Sequence, residues 1–182
     1  MEHLNPTAYV ILGFVRNEPR SGYEIKALVD NSTRFFWAAS YGQIYPELKR
    51  LSEAGLVVGS DTPTGGRKRT VYEITADGEE ELRSWLREKP ETFEMRDEGL
   101  LKLFFADALP REEAIEILRA MRAKRLAVNE QLQAIKEQKG EIEDPFPMIV
   151  LQGGLEFTQW FVDWCERMEA QLLDAALEER NG

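Results

Sequence analysis

A mainly α-helical fold carrying a small β-hairpin is what this sequence predicts, on three observations. Two helix-start patterns of the capping-box type, Ser21-Gly22-Tyr23-Glu24 and Ser40-Tyr41-Gly42-Gln43, open segments with helical apolar spacing early in the chain. An alternating run, Thr70 to Ile74, follows a turn rich in Pro, Gly and Thr. Farther on, Leu118, Met121, Arg125, Val128, Leu132 and Ile135 recur at spacings of 3 and 4, a single seam on a long helix.

The elements follow in order. Asn5-Pro6 starts the first helix, with Asn as N-cap and Pro at the first helical position. Its run Ala8 to Val15 is too apolar for a surface helix, and Pro19 ends it. The helix opened by Ser21 is expected to turn Tyr23, Ile25, Leu28 and Val29 inward and to reach about Arg34. The third presents Ile44, Leu48 and Leu51 as one stripe, with Lys49 and Arg50 on the opposite side, and Gly55 follows as the residue after the cap. Pro46 leaves two readings of it, a helix kinked near its start or a turn at 40–44 with regular helix from about Tyr45. Leu56-Val57-Val58 reads as a strand, Asp61 to Arg69 as a turn and Thr70 to Ile74 as a second strand. Thr75 caps a fourth helix, Ala76 to Glu88, with Leu82, Trp85 and Leu86 inward.

Three helices, a hairpin and a helix make a winged helix-turn-helix domain, placed at residues 1–88. Residues 89–182 are read as a long helical dimerisation domain. It begins with a polar connector around Pro90 and a helix over about 97–108, in which Leu100, Leu101, Leu103, Phe104 and Phe105 imply burial. A helix of about 28 residues follows Pro110, roughly 42 Å long at 1.5 Å per residue. After a break at 139–147, a last helix from about Met148 to Glu179 carries Phe157, Trp160, Phe161, Trp164, Met168 and Leu172 along one side. Such stripes serve as core or as an interface between subunits; the dimer reading takes Leu118, Met121, Val128, Leu132, Ile135, Phe157, Trp160, Phe161, Trp164 and Met168 as contact residues. Gly153-Gly154 either permits a close helix crossing or interrupts the helix.

Composition narrows the function. The net charge of −10 is unevenly spread. Residues 1–88 hold 11 Lys+Arg against 13 Asp+Glu, a balance of −2, and residues 89–182 hold 12 against 20, a balance of −8. Between Arg16 and Arg69 the balance is +3, from 9 basic and 6 acidic residues. Exposed charges are screened beyond about 8–10 Å, so the acidic tail does not exclude a polyanionic partner for the first domain. The lone histidine, His3, and the lone cysteine, Cys165, leave no Ser/His/Asp or Cys/His arrangement and no metal-ligand spacing, so neither catalysis nor a cofactor is expected. One cysteine fits a reducing compartment, no stretch of 18 apolar residues is present, and Met1 to Thr7 lacks the basic and apolar regions of a signal peptide. A cytoplasmic location is expected.

In a helix-turn-helix the second helix of the pair enters the major groove with its N-terminal residues against base edges. Here these are Ser40, Tyr41, Gln43, Ile44 and Tyr45. Gln43 can pair bidentately with adenine or can serve the capping box. Tyr41 is assigned to a phosphate and Tyr45 to packing, and Lys49 and Arg50 to phosphate or to a solvated helix face. The wing, Thr64-Gly65-Gly66-Arg67-Lys68-Arg69, joins two glycines that allow close approach to three cations suited to a phosphate row.

Tyr41-Gly42-Gln43-Ile44-Tyr45-Pro46-Glu47-Leu48-Lys49-Arg50-Leu51, Gly55-Leu56-Val57, Gly65-Gly66-Arg67-Lys68-Arg69 and Tyr72-Glu73-Ile74-Thr75 resemble the PadR family of bacterial transcriptional regulators. Leu12-Gly13 and Ser21-Gly22-Tyr23-Glu24-Ile25 share that resemblance, which covers residues 8–88. The tail is similar to the longer-tailed branch that includes virulence-gene activators. The resemblance implies a homodimer on a two-fold, palindromic operator in double-stranded DNA, commonly as a repressor. It also raises a small-molecule effector, for which Phe35, Phe36, Trp37 and Trp160 are the aromatic candidates. The competing reading makes the winged helix a protein-interaction module.

Overall fold

The computed structural model describes residues 4–64, 67–90, 95–139 and 145–181, with backbone alone at 62–64, 67, 68, 139 and 176–181. Its contacts divide the chain into two units, Met1–Thr92 and Phe93–Gly182.

In the first unit, α1 (Pro6–Val15) begins where the Asn5-Pro6 pair places it, with Asn5 Oδ1 accepting from the Ala8 N–H at 3.1 Å. A two-residue strand, β1 (Arg20–Ser21), leads into α2 (Gly22–Asp30), whose capping box is formed by Ser21 and Glu24. The helix stops four residues before the expected Arg34, and a single 3-10 turn covers Thr33–Phe35. Helix α3 (Tyr41–Glu53) is helical from its first residue, through Pro46. Pro46 lies early in α3, so it removes one bond, to the Gly42 carbonyl, without dividing the helix. Gly55 takes φ +75°, the left-handed turn that stops α3. Strands β2 (Val57–Thr64) and β3 (Arg67–Ile74) pair antiparallel from Val57↔Ile74 out to Thr64↔Arg67, so segments 61–64 and 67–69, expected as turn, extend the ladder. Strand β1 adds to the other edge of β3 through Arg20↔Tyr72 and Ser21↔Val71. Its two residues carry no periodicity from which sequence could announce them. Helix α4 (Ala76–Arg87) closes the unit, capped by Thr75.

The core of this unit gathers Ile11, Leu12, Val15, Ile25, Val29, Ile44, Leu48 and Leu51, all buried, with Val57 and Leu82 at its margin. Tyr9 of α1 stacks on Trp85 of α4, ring centres 4.3 Å apart, and donates its hydroxyl to Glu81 at 3.0 Å. Burial, reinforced by Glu81, pushes that phenol up to about 12. Three inward assignments are corrected. Tyr23 is 67% exposed, because Ile25 and Val29 set the buried stripe of α2; of Leu82, Trp85 and Leu86 on α4 only Leu82 is buried, Leu86 being exposed and Trp85 leaving part of its ring open while it stacks on Tyr9.

In the second unit, Asp97 caps α5 (Glu98–Phe104) through the N–H groups of Gly99 and Leu100. A 3-10 turn (Ala106–Ala108) leads to α6 (Arg111–Lys139), and α7 (Pro145–Asn181) runs antiparallel to it, as Arg119–Glu169, Asn129–Thr158 and Lys136–Gln152 contacts show. The α6 seam is therefore covered by the same chain. Leu118, Met121 and Leu132 are buried, as are Phe161 and Cys165 of α7, which removes Leu118, Met121, Leu132 and Phe161 from the residues open to a second subunit. Val128, Ile135, Trp164 and Met168 are half-buried in this pair, while Phe157 and Trp160 stay exposed. Periodicity reports that a face is buried; it does not report which chain buries it. Helix α7 passes through Gly153-Gly154 without interruption, and a Cβ at Gly154 would stand 3.2 Å from Leu132 Cδ1, a close crossing. On α5, Leu100 and Leu103 pack on the α6/α7 core, whereas Leu101, Phe104 (80% exposed) and Phe105 do not.

Candidate nucleic-acid interface

Two faces of α3 divide the labour. Ile44, Leu48 and Leu51 are completely buried, so they fix the helix in the domain. Ile44 therefore leaves the set of base-contacting candidates: it points into the core, and no duplex reaches it. Ser40, Tyr41, Gln43, Tyr45, Lys49 and Arg50 remain on the solvent side, all exposed.

The start of the helix is tightly organised. Gln43 Oε1 accepts from the Ser40 N–H at 2.9 Å and from the Ser40 hydroxyl at 3.0 Å. The oxygen that would accept from an adenine amino group is thus already in use at the cap. Tyr41 and Tyr45 stack with ring centres 6.0 Å apart. Tyr45, assigned to packing, does pack: its edge lies over Gly22, where a Cβ would come within 2.7 Å of Cε1, while half its surface stays open. Only glycine lets α2 approach so closely. Lys26 of α2, ion-paired with Asp30, lies 5.6 Å from the Tyr41 ring centre. Sequence reasoning missed it, because its proximity arises from the packing of α2 on α3 and not from spacing.

Three further candidate cations are engaged within the domain. Lys49 pairs with Glu53 at 3.7 Å, and Arg50 donates to Glu47 Oε2 at 3.3 Å. Arg69 is ion-paired with Glu24. Gly65 and Gly66 lie outside the described residues, and so do the side chains of Thr64, Arg67 and Lys68. The candidate effector residues Phe36 and Trp37 are exposed in the first unit, and Trp160 is exposed in the second. Among the described residues no group of three His, Cys, Asp or Glu side chains is arranged to hold a metal, and no helix is long and apolar enough to cross a membrane.

Residues 11–84 match the transcriptional regulator PadR-like family. The negative transcriptional regulator PadR of Bacillus subtilis is 32% identical over 174 residues, spanning 90% of this chain and 96% of that protein. This chain belongs to the PadR-like family of transcriptional regulators. Its residues 95–172 match the virulence activator alpha C-terminal family, so the PadR-like chain carries the longer tail of the virulence-activator branch. The crystal structure of Bacillus subtilis PadR in complex with operator DNA superposes with a TM-score of 0.85 at 32% identity, over 92% of this chain and 99% of that one. The same PadR in complex with p-coumaric acid gives 0.75 at 31% identity, over 93% and 98%.

Proposed function

We propose that this PadR-like chain is a cytoplasmic homodimeric repressor that places α3 in the major groove of a two-fold operator and lays its wing along the adjacent backbone. The supporting observation is the open edge of α3: Ser40, Tyr41, Gln43 and Tyr45 are exposed on a helix whose other face is locked into the core. The likeness to a PadR crystallised with operator DNA supports the same reading. Gln43 reads a base acceptor through its Nε2 amide, its oxygen staying at the cap, Tyr41, Tyr45, Lys49 and Arg50 hold phosphates, and Thr64, Gly65, Gly66, Arg67 and Lys68 supply the wing contacts. In the second unit, exposed Phe104, Phe105, Phe157 and Trp160 supply apolar surface for the second copy, since the α6 seam is already filled. The chain acts as a regulator and not as an enzyme.

Selection of duplexes from a random pool, followed by salt titration, tests this. The expected product is a palindrome, bound with a log–log salt slope of about −0.9 per phosphate neutralised. Replacing Arg67 and Lys68 by Ala should collapse affinity while the circular dichroism stays unchanged. Failure to enrich any duplex, or binding indifferent to salt, overturns the reading.

The p-coumaric acid complex of the Bacillus relative favours one addition, an aromatic effector that releases the operator. Phe36, Trp37 and Trp160 are its candidate contacts. Titrating p-coumaric acid should quench tryptophan fluorescence and dissociate the duplex; a flat titration removes this addition and leaves the DNA reading intact.

A further inference from the structure

Arg69 is the last of three consecutive cations in the hairpin, and by position alone it belongs with the phosphate contacts. Its guanidinium is instead committed to Glu24 Oε1. The other oxygen, Glu24 Oε2, accepts from the Ser21 N–H and the Ser21 hydroxyl, each at 2.9 Å. Ser21 is both the cap of α2 and a residue of β1, where it stands opposite Val71 of β3. One carboxylate therefore ties together the first turn of α2, the edge strand β1 and the hairpin strand β3, with both of its oxygens occupied. The Arg69 guanidinium, then the Ser21 backbone N–H, hold the Glu24 carboxyl down at about 2, against the effect of burial. A cation neutralised in this way adds little net charge to the wing, and contacting a phosphate would mean abandoning Glu24.

We propose that Arg69 is a positioning residue: through Glu24 it fixes the root of the wing to the helix-turn-helix, and phosphate binding falls to other cations. This rests on the reading that the wing meets DNA. It separates Arg69 from Arg67 and Lys68, its neighbours in the run, and it gives Glu24 a part in recognition without contact to the duplex.

The experiment uses the full chain, Arg69→Ala, Glu24→Gln and the double variant, with a duplex the wild type enriches from a random pool. Gln at position 24 keeps the capping acceptor and loses the charge. Each single variant should weaken binding by up to about fivefold, the scale of one partly exposed ion pair. The salt slope should stay at the wild-type value, and the double variant should be no weaker than the weaker single. A slope reduced by about 0.9 in Arg69→Ala, or tighter binding by Glu24→Gln, shows a phosphate contact that Glu24 restrains and overturns the proposal. Amide exchange of the DNA-free protein supplies the independent arm. Both variants should speed exchange in the β1/β3 pairing, and unchanged protection there overturns the proposal whatever the duplex does. A wild type that enriches no duplex sinks the DNA reading alone.

Discussion

Asn5 Nδ2 donates to Glu47 Oε2 at 2.7 Å, joining the N-terminal cap of α1 to a carboxylate of α3 that is only 4% exposed. Asn5 also caps α1 through its oxygen, so one side chain serves two helices. Arg50 supplies a second donor to the same Glu47 oxygen, while the other oxygen, Oε1, is buried without a hydrogen-bond partner. Asn5→Ala should therefore lose a cap, at about 1 kcal/mol, and leave a buried carboxylate short of a donor, at about 1–3 kcal/mol more. Glu47→Gln preserves the acceptor and removes a half-satisfied buried charge, so its stability should lie within about 1 kcal/mol of wild type. Urea unfolding of the two variants checks the order; a larger loss for Glu47→Gln would refute it.

Two glycines separate packing from recognition. A Cβ at Gly78 would stand 2.1 Å from the Leu56 carbonyl oxygen, which is backbone and cannot step aside. Gly78→Ala should cost about 3 kcal/mol or more. At Gly22 the nearest atom is on the half-exposed Tyr45 ring, which can swing away. Gly22→Ala should cost about 1–2 kcal/mol yet weaken duplex binding more than that loss of stability explains. Thermal melts beside binding titrations distinguish the two.

The second unit has its own hub. Arg125, at a core position of the α6 seam, pairs with Asp97 at 2.8 Å and lies 4.6 Å from the Phe161 ring centre. Burial alone would raise the Asp97 pKa, but N–H donors from Leu100 and Gly99 together with the Arg125 guanidinium outweigh it and hold the carboxyl below its usual value. Asp97→Asn retains the capping acceptor and should cost about 1 kcal/mol, whereas Asp97→Ala loses the cap as well and should cost about 2–3 kcal/mol. Equal losses for the two would show that capping contributes nothing.

Acid should loosen the first unit through Glu24. Its carboxyl has a pKa of about 2 folded, against 4.5 when unperturbed, so the folded chain binds this proton more weakly than the unfolded chain. The stabilisation is complete above about 4.5 and disappears as the pH falls toward 2. Urea midpoints of Glu24→Gln should fall less steeply than those of wild type across that window. Parallel curves would contradict the assignment.

These elements also show how far residue patterns carry. The caps at Asn5, Ser21, Ser40 and Thr75 were legible because capping needs particular side chains at fixed offsets, and all four sit at helix starts. Ile44 was legible twice over, as an inward stripe residue and as an N-terminal residue of the groove helix; geometry permits only the first. The length of the hairpin was not legible, because Pro63 and the Thr-rich run read as turn while backbone pairing carries the ladder to Thr64↔Arg67. Arg125 was legible as a member of the seam, but its pairing with Asp97, 28 residues away, comes from the fold and not from the spacing. The Arg69–Glu24 pair, 45 residues apart, follows from neither residue's surroundings in sequence.

The capping box at the head of α3 bears on preorganisation. A glutamine free in solvent must surrender several rotatable bonds when it engages a partner, an entropic penalty of about 1.5–2 kcal/mol. Gln43 has already surrendered them in the isolated domain, pinned by its own oxygen to Ser40. In the proposed complex a duplex would meet a side chain already held at the cap, with less left to order on contact and less freedom to adjust to a mismatched base.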